Sequence, residues 1–195
     1  KRSRPKILLA TNLEDAMSMY EKYRNNLLGV ISDVGFNIHK DDAPDQEVLD
    51  AGINLVRHIK ADDPFMPVLL QSSQDNISVV AQELGVGFLR KYSKTLMLQL
   101  SDYIKAEFGF GDFVFRDADR MEYGRAANLK ELEALMRVVP DEILLANTSK
   151  NMLSKWFLAR GLFTLGEKFK EVQESHFTDI NAMRIAGEEA RALVE

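Results

Sequence analysis

The sequence predicts an α/β fold: a parallel sheet flanked by helices, followed by a small module of a β-hairpin plus helices. Three observations predict it. Short apolar runs close in polar residues at Asp33, Ser72 and Lys91, as buried parallel strands do when they deliver a side chain to the carboxyl edge of a sheet. Stretches with apolar residues at three-and-four spacing separate these runs across short loops, which implies right-handed crossovers. After Gly109-Phe110-Gly111 the rhythm changes to two strand-like runs around a polar turn, then to helices.

Taken in order, Lys6–Ala10 is a short apolar run after Pro5 and reads as a strand. Asn12 is a helix N-cap, and Glu14 and Asp15 in the first turn suit the helix dipole. Ala16, Met17, Met19, Tyr20 and Tyr23 give that helix its apolar stripe, and Asn25-Asn26 stops it. Leu28 to Asp33 is the next strand. A polar loop from Asn37 to Asp50 leads to a helix through Ile53, Val56 and Ile59, ended by Asp62-Asp63-Pro64. Val68 to Gln71 is a strand, Asn76 to Leu84 a helix closed by Gly85, and Val86 to Arg90 a strand. Lys94 to Phe108 is amphipathic, with Leu96, Leu100, Tyr103 and Ile104 inward. Gly109-Phe110-Gly111 reads as a linker, because it does not lead from a strand into a helix as a phosphate-binding glycine loop does. Domains of 1–109 and 110–195 follow.

In the second domain, Asp112–Arg116 and Glu122–Ala126 flank the turn Asp117–Arg120 as a hairpin. Asn128 caps a helix carrying Leu129, Leu132, Leu135 and Met136 on one face, and Pro140-Asp141 punctuates. Helices are expected over Ser149–Arg160, Leu162–Phe169 and Asp179–Leu193, with Trp156 and Phe157 as the core of a small helical unit.

Composition bounds the function. The chain has 195 residues, room for one large or two small domains. A formal net charge of −5 argues against a general nucleic-acid binder, since phosphate neutralisation needs a basic excess. The basic start, Lys1-Arg2-Ser3-Arg4, reads as a solvated tail. The absence of cysteine removes disulfides, thiolate metal sites and cysteine nucleophiles, and fits a reducing cytoplasm. No apolar run has membrane-spanning length, and no signal-peptide pattern opens the chain. His39, His58 and His176 lack ligand spacing and read as ordinary surface residues, and the acids Asp41, Asp42, Asp45 and Glu47 as a solvated loop.

A carboxylate, a hydroxyl and an ammonium at successive strand ends suit phosphate handling. The order of Glu14-Asp15-Ala16-Met17, Asp33, Gly52, Pro67 to Ser73 and Gly85-Val86-Gly87-Phe88-Leu89-Arg90-Lys91 resembles a response-regulator receiver domain over about residues 6 to 107. The resemblance implies a flavodoxin-like sheet and makes Asp33 the phosphoacceptor. It makes Ser72 and Lys91 the phosphate-contacting residues, Phe88 the aromatic that changes rotamer, and the Gly35 carbonyl a Mg²⁺ contact beside Asp33. Tyr92 stands where that family has a proline.

The family also places an acidic pair after its first strand to hold Mg²⁺. With Lys6–Ala10 as that strand the pair would be Thr11 and Asn12, which carry no charge. The interval from Thr11 to Asp33 also holds one helix where a receiver has two and a strand between them. The better register makes Lys6–Ala10 the second strand. The first strand and the acids would then lie upstream of Lys1, so that the sheet lacks its first strand here and Mg²⁺ binding depends on that upstream pair. The alternatives are a rearranged sheet or a strand from another copy. Direct pairing of Lys6–Ala10 with Val30–Asp33 would remove the need for any of these.

Gly111–Arg116, Asn128–Leu132, Val139–Glu142 and Ser149–Arg160 resemble the segment that follows an unusual receiver in some bacterial phosphoenolpyruvate synthase-like proteins of the pyruvate, phosphate dikinase family. The resemblance implies a regulatory, non-enzymatic fragment of a larger cytoplasmic protein. Its partners would be a histidine kinase or other phosphodonor, downstream domains of the same polypeptide and a second copy, with neither nucleic acid nor membrane. The competing readings are a pseudo-receiver that binds partners without phosphotransfer, a docking segment of a dikinase-like enzyme without signalling, and a small-molecule enzyme using Asp33 and Lys91.

Overall fold

The computed structural model describes residues 5–43, 46–148 and 151–174, together with Ala192. The described residues divide into two compact units, one ending at Tyr103 and the other starting at Ile104.

The first unit is built on a three-stranded parallel sheet in the order β1-β2-β3, with β1 at Val30–Asp33, β2 at Val68–Ser72 and β3 at Gly87–Arg90. Helix α1 (Leu13–Tyr23) precedes β1, α2 (Ala51–Asp62) joins β1 to β2, α3 (Ile77–Glu83) joins β2 to β3, and α4 (Leu96–Glu107) follows. The α/β class and these elements agree with the sequence reading. Asn12 caps α1 as expected, its Oδ1 accepting the Asp15 N–H at 2.8 Å. Gly85 ends α3 with φ of +64°, the left-handed region that glycine enters without Cβ strain. The core gathers Tyr20, Val34, Val56, Ile59, Met66, Val68 and Leu70, which are the inward residues of α1, α2 and the sheet. The stripe of α4 is shallower than its pattern implies: Leu96, Leu100, Tyr103 and Ile104 are half-buried.

One expectation fails outright. Lys6–Ala10 forms no strand and does not pair with Val30–Asp33. Ile7 is 93% exposed and Leu9 78%. Pairing begins only past its end, where Asn12 and Asn37 form an isolated parallel bridge. An apolar run becomes a strand only when a neighbouring edge accepts its hydrogen bonds, and none reaches this one.

α1 and α2 are tied at their ends by polar contacts. Buried Tyr20 donates its hydroxyl to Asp62 at 2.8 Å, and Arg24 Nη1 reaches the other oxygen of that carboxylate at 2.7 Å. The Tyr20 hydrogen bond, aided by the Arg24 guanidinium, holds the Asp62 carboxyl below its ordinary value, while burial and the same carboxylate push the Tyr20 phenol up.

The second unit opens with a hairpin, β4 (Phe113–Arg116) against β5 (Glu122–Ala126), antiparallel as expected. Helix α5 (Leu129–Val138) follows, capped by Asn128, whose Oδ1 accepts the Glu131 N–H at 3.1 Å. Leu132 and Met136 are buried, whereas Leu129 is exposed. Residues 141–148 form a helix, α6 (Asp141–Thr148), where the sequence suggested only punctuation. Pro140 supplies its first turn, its carbonyl accepting the Leu144 N–H at 2.9 Å. Helices α7 (Met152–Ala159) and α8 (Phe163–Glu174) complete the unit, so the expected Ser149–Arg160 helix begins later. The expected helix over Asp179–Leu193, the basic start Lys1–Arg4, His176, and Pro44 with Asp45 lie outside the described residues, Ala192 excepted.

Trp156 and Phe157 are core, as expected, packed edge-on to one another with ring centroids 5.5 Å apart. Gly109–Gly111, read as a linker, instead packs onto α7. Gly109 has φ of +80°, and a Cβ there would lie 2.9 Å from the Lys155 backbone. The Gly111 carbonyl accepts Trp156 Nε1–H at 3.0 Å and Arg160 Nη2 at 2.9 Å, while Arg160 Nη1 donates to the Gly109 carbonyl at 2.8 Å.

Two outcomes follow from this packing. Tyr20→Phe should cost about 1 kcal/mol in urea unfolding near neutral pH, the usual range for a hydrogen bond to a partly exposed carboxylate. Asp62 binds its proton less readily when folded, so its contribution is present above the unfolded carboxylate range and is lost as pH falls through the folded value. Tyr20→Phe and wild type should therefore converge in stability toward acid pH. Trp156→Ala should remove about 3–5 kcal/mol from the second unit, read by its own melting transition.

Candidate functional site

The parallel register brings the three sequence-predicted positions to one sheet edge. Asp33 lies opposite Gln71, and Ser72, one residue further, lies opposite Arg90. The ladder extends one step past β3, where the Lys91 N–H donates to the Ser72 carbonyl at 2.9 Å. Across this edge the Lys91 ammonium meets the Asp33 carboxylate, Nζ to Oδ1 at 3.0 Å. Asp33 and Lys91 are therefore in direct contact, with the Ser72 backbone between their strands.

Both groups of the pair keep part of their surface open, the Asp33 side chain 48% and the Lys91 side chain 33% exposed. An ion pair this exposed contributes at most about 1 kcal/mol to stability. Its chemical value is different: a strand-end carboxylate open to solvent, with a cation already beside it.

Ser72 is buried, and its Oγ accepts the Gln74 N–H at 3.1 Å. The hydroxyl thus closes the turn after β2, the structural role a serine commonly takes there. Arg90 turns outward and pairs with Asp75 in the same loop at 3.1 Å, so the β2–α3 connection is fastened from two sides. Phe88, opposite Leu70 in the ladder, is half-buried against the first core. Tyr92, next to Lys91, has φ of +66° and is almost wholly exposed, an uncommon backbone for a bulky residue.

The backbone behind Asp33 is constrained by a glycine. Gly52 N–H donates to the Val34 carbonyl at 2.7 Å, and a Cβ at Gly52 would lie 2.0 Å from the Asp33 carbonyl oxygen. Only a residue without a side chain lets the first turn of α2 approach the end of β1 this closely. Ser32 Oγ donates to that same Asp33 carbonyl at 2.7 Å.

Gly35 brings in a neighbour that the sequence reading set aside. Glu47, grouped there with solvated loop acids, has its Oε1 2.7 Å from where a Gly35 Cβ would sit. No local pattern in the sequence announces this; it depends on the Phe36–Val48 antiparallel bridge, which folds the loop back along the chain leaving β1. Its loop neighbour Asp42 accepts the His39 N–H at 2.7 Å. His39 and His58 are exposed and paired with Glu14 and Glu21.

Magnesium is held by one or two carboxylates, with water and phosphate oxygens completing its octahedron. For such an ion the receiver resemblance assigns one carboxylate, that of Asp33, and the Gly35 backbone oxygen. Among the described residues no group of three histidine or acidic side chains could hold a metal ion. Asn12, considered as a metal-side residue in one register, is buried and committed to capping α1.

Gly52→Ala should destabilise the first unit by about 1–3 kcal/mol, because the added methyl meets backbone that cannot rotate away. Urea unfolding checks this; an unchanged midpoint would mean that α2 withdraws from β1 without cost.

Among the described residues no helix is long and apolar enough to cross a membrane. Comparison of the chain with protein-family models, with curated proteins and with solved structures returned no significant match.

Proposed function

We propose that the first unit is a receiver-like signal-input domain, with Asp33 as phosphoacceptor, that regulates a larger cytoplasmic polypeptide. The observation that supports this most is the 3.0 Å contact between Asp33 and Lys91 at the carboxyl edge of a parallel sheet. In the proposed reaction an Asp33 carboxylate oxygen attacks phosphorus and forms the new O–P bond. The bond from phosphorus to the donor's leaving group breaks, and that group departs with the electron pair. Lys91 offsets the negative charge carried by the transferred group. Mg²⁺, when bound, would supply further positive charge to the phosphoryl oxygens.

The donor is a histidine kinase or a small acyl phosphate. After transfer the phosphoryl group competes with Asp33 for Lys91. Because the Lys91 N–H is hydrogen-bonded to Ser72 and Phe88 lies on β3, which ends one residue before Lys91, the rearrangement reaches both residues. The second unit would pass the change to downstream parts of a phosphoenolpyruvate synthase-like polypeptide.

Acetyl phosphate with Mg²⁺, followed by intact mass, tests the reading. One phosphoryl group should be taken up, none by Asp33→Asn, and uptake by Lys91→Met should be slower by about 10–100-fold. Folded protein extended upstream of Lys1 that takes up nothing, or Asp33→Asn that still does, would overturn it; the first result would favour a docking segment without signalling.

A further inference from the structure

The open side of β1 is the strongest unassigned feature of the first unit. β1 pairs with β2 alone, and no strand lies on its other side among the described residues. The Val30 N–H is bonded toward β2, to the Pro67 carbonyl at 2.9 Å, so alternation directs the Ile31 backbone groups to the open side. The Ile31 side chain is itself exposed, and neither proline nor lysine blunts Val30-Ile31-Ser32-Asp33 as an edge.

The same chain carries a segment suited to such an edge. Lys6–Ala10 is an unpaired run of four apolar residues after one lysine, and its Ile7 and Leu9 are among the most exposed large apolar residues of the protein. The Asn12–Asn37 bridge shows that the chain after Ala10 approaches the chain leaving β1. Yet the two runs upstream of that bridge do not pair within one molecule. Each chain therefore exposes a strand edge and an apolar run able to cover one.

We propose that two copies of this chain associate by reciprocal strand addition, Lys6–Ala10 of each copy lying along β1 of the other. The exchange is isologous and closes at two, because each copy gives its own Lys6–Ala10 run to its partner's β1 and receives the partner's run on its own β1. It pairs the outward backbone groups of β1 and removes Ile7 and Leu9 from water. It does not depend on phosphoryl chemistry at Asp33.

Light scattering after size exclusion, across a concentration series of the full chain, tests the idea. A dimer should form, and the Ile31 amide should exchange at least tenfold more slowly at high than at low protein concentration. Leu9→Lys should be monomeric and should melt as the wild type does when diluted to monomer, since Leu9 is 78% exposed within one copy. Leu98→Lys, also exposed but on α4, should leave the dimer intact. A chain that stays monomeric at every concentration overturns the proposal, as does a dimer that persists in Leu9→Lys. So does a form extended upstream of Lys1 that is monomeric with the Ile31 amide protected, because the edge would then belong to the added segment.

Discussion

The register of the parallel sheet is the constraint on which the candidate site rests. Side chains alternate along each strand, so a one-residue slip of β1 against β2 would turn Asp33 toward the opposite face and expose the inward side of the strand, half-buried Val30 with buried Ser32 and Val34. The core opposes such a slip, because Val34, Val68 and Leu70 fill it together with α2. Gly52 opposes it again, since the first turn of α2 fits against the end of β1 only in the present alignment. The contact between Asp33 and Lys91 is therefore a consequence of apolar packing at a distance from the charges. The ion pair itself is too solvated to enforce the geometry it benefits from.

This division of labour explains why the chemistry-bearing groups remain open while their backbones are fixed. Asp33 is exposed, but its carbonyl is held by Ser32 and crowded by Gly52. Lys91 is partly exposed, but its N–H continues the sheet ladder to Ser72. A group positioned through its backbone keeps its side chain available for exchange of partners, which a site for group transfer needs.

Much of the fold was readable from the residues because its determinants are local. The Asn12 and Asn128 caps each work with an acid three residues on, and Gly85 stops α3 by its own backbone freedom. The strand ends at Asp33, Ser72 and Lys91 were readable because buried parallel strands are continuous apolar runs with polar ends. What escaped depends on contacts distant in sequence. Lys6–Ala10 has a strand's composition, but being a strand requires a partner edge. Pro140-Asp141 looked like a break, yet proline at the start of a helix gives up only an N–H that has no partner there in any case. Glu47 approaches Gly35 through a loop closure that no spacing rule encodes, whereas Ser72, whose hydroxyl accepts the Gln74 N–H, takes the turn role that a serine after a strand allows.

The second unit places its polar atoms under a different rule, because there the polar atoms are the ones enclosed. Burial lowers the pKa of the Arg160 guanidinium, against the pull of Asp112, and its charge is met by neutral oxygens. It reaches the carbonyls of Gly109, Gly111 and Trp156, and its Cζ stacks 3.6 Å over the Trp156 ring. Asn147 does comparable work at the hairpin: its side chain accepts the Arg116 N–H and donates to the carbonyls of Arg116 and Ile143, which ends β4 on α6. A half-buried cation bound to carbonyls gains less from attraction than one bound to a carboxylate, but it leaves no second charge to desolvate. Replacing such a group by an apolar one would strand several backbone oxygens at once. Arg160 and Asn147 therefore specify which loop meets which helix, something the Phe113, Phe157 and Phe169 packing around them, being non-directional, does not do.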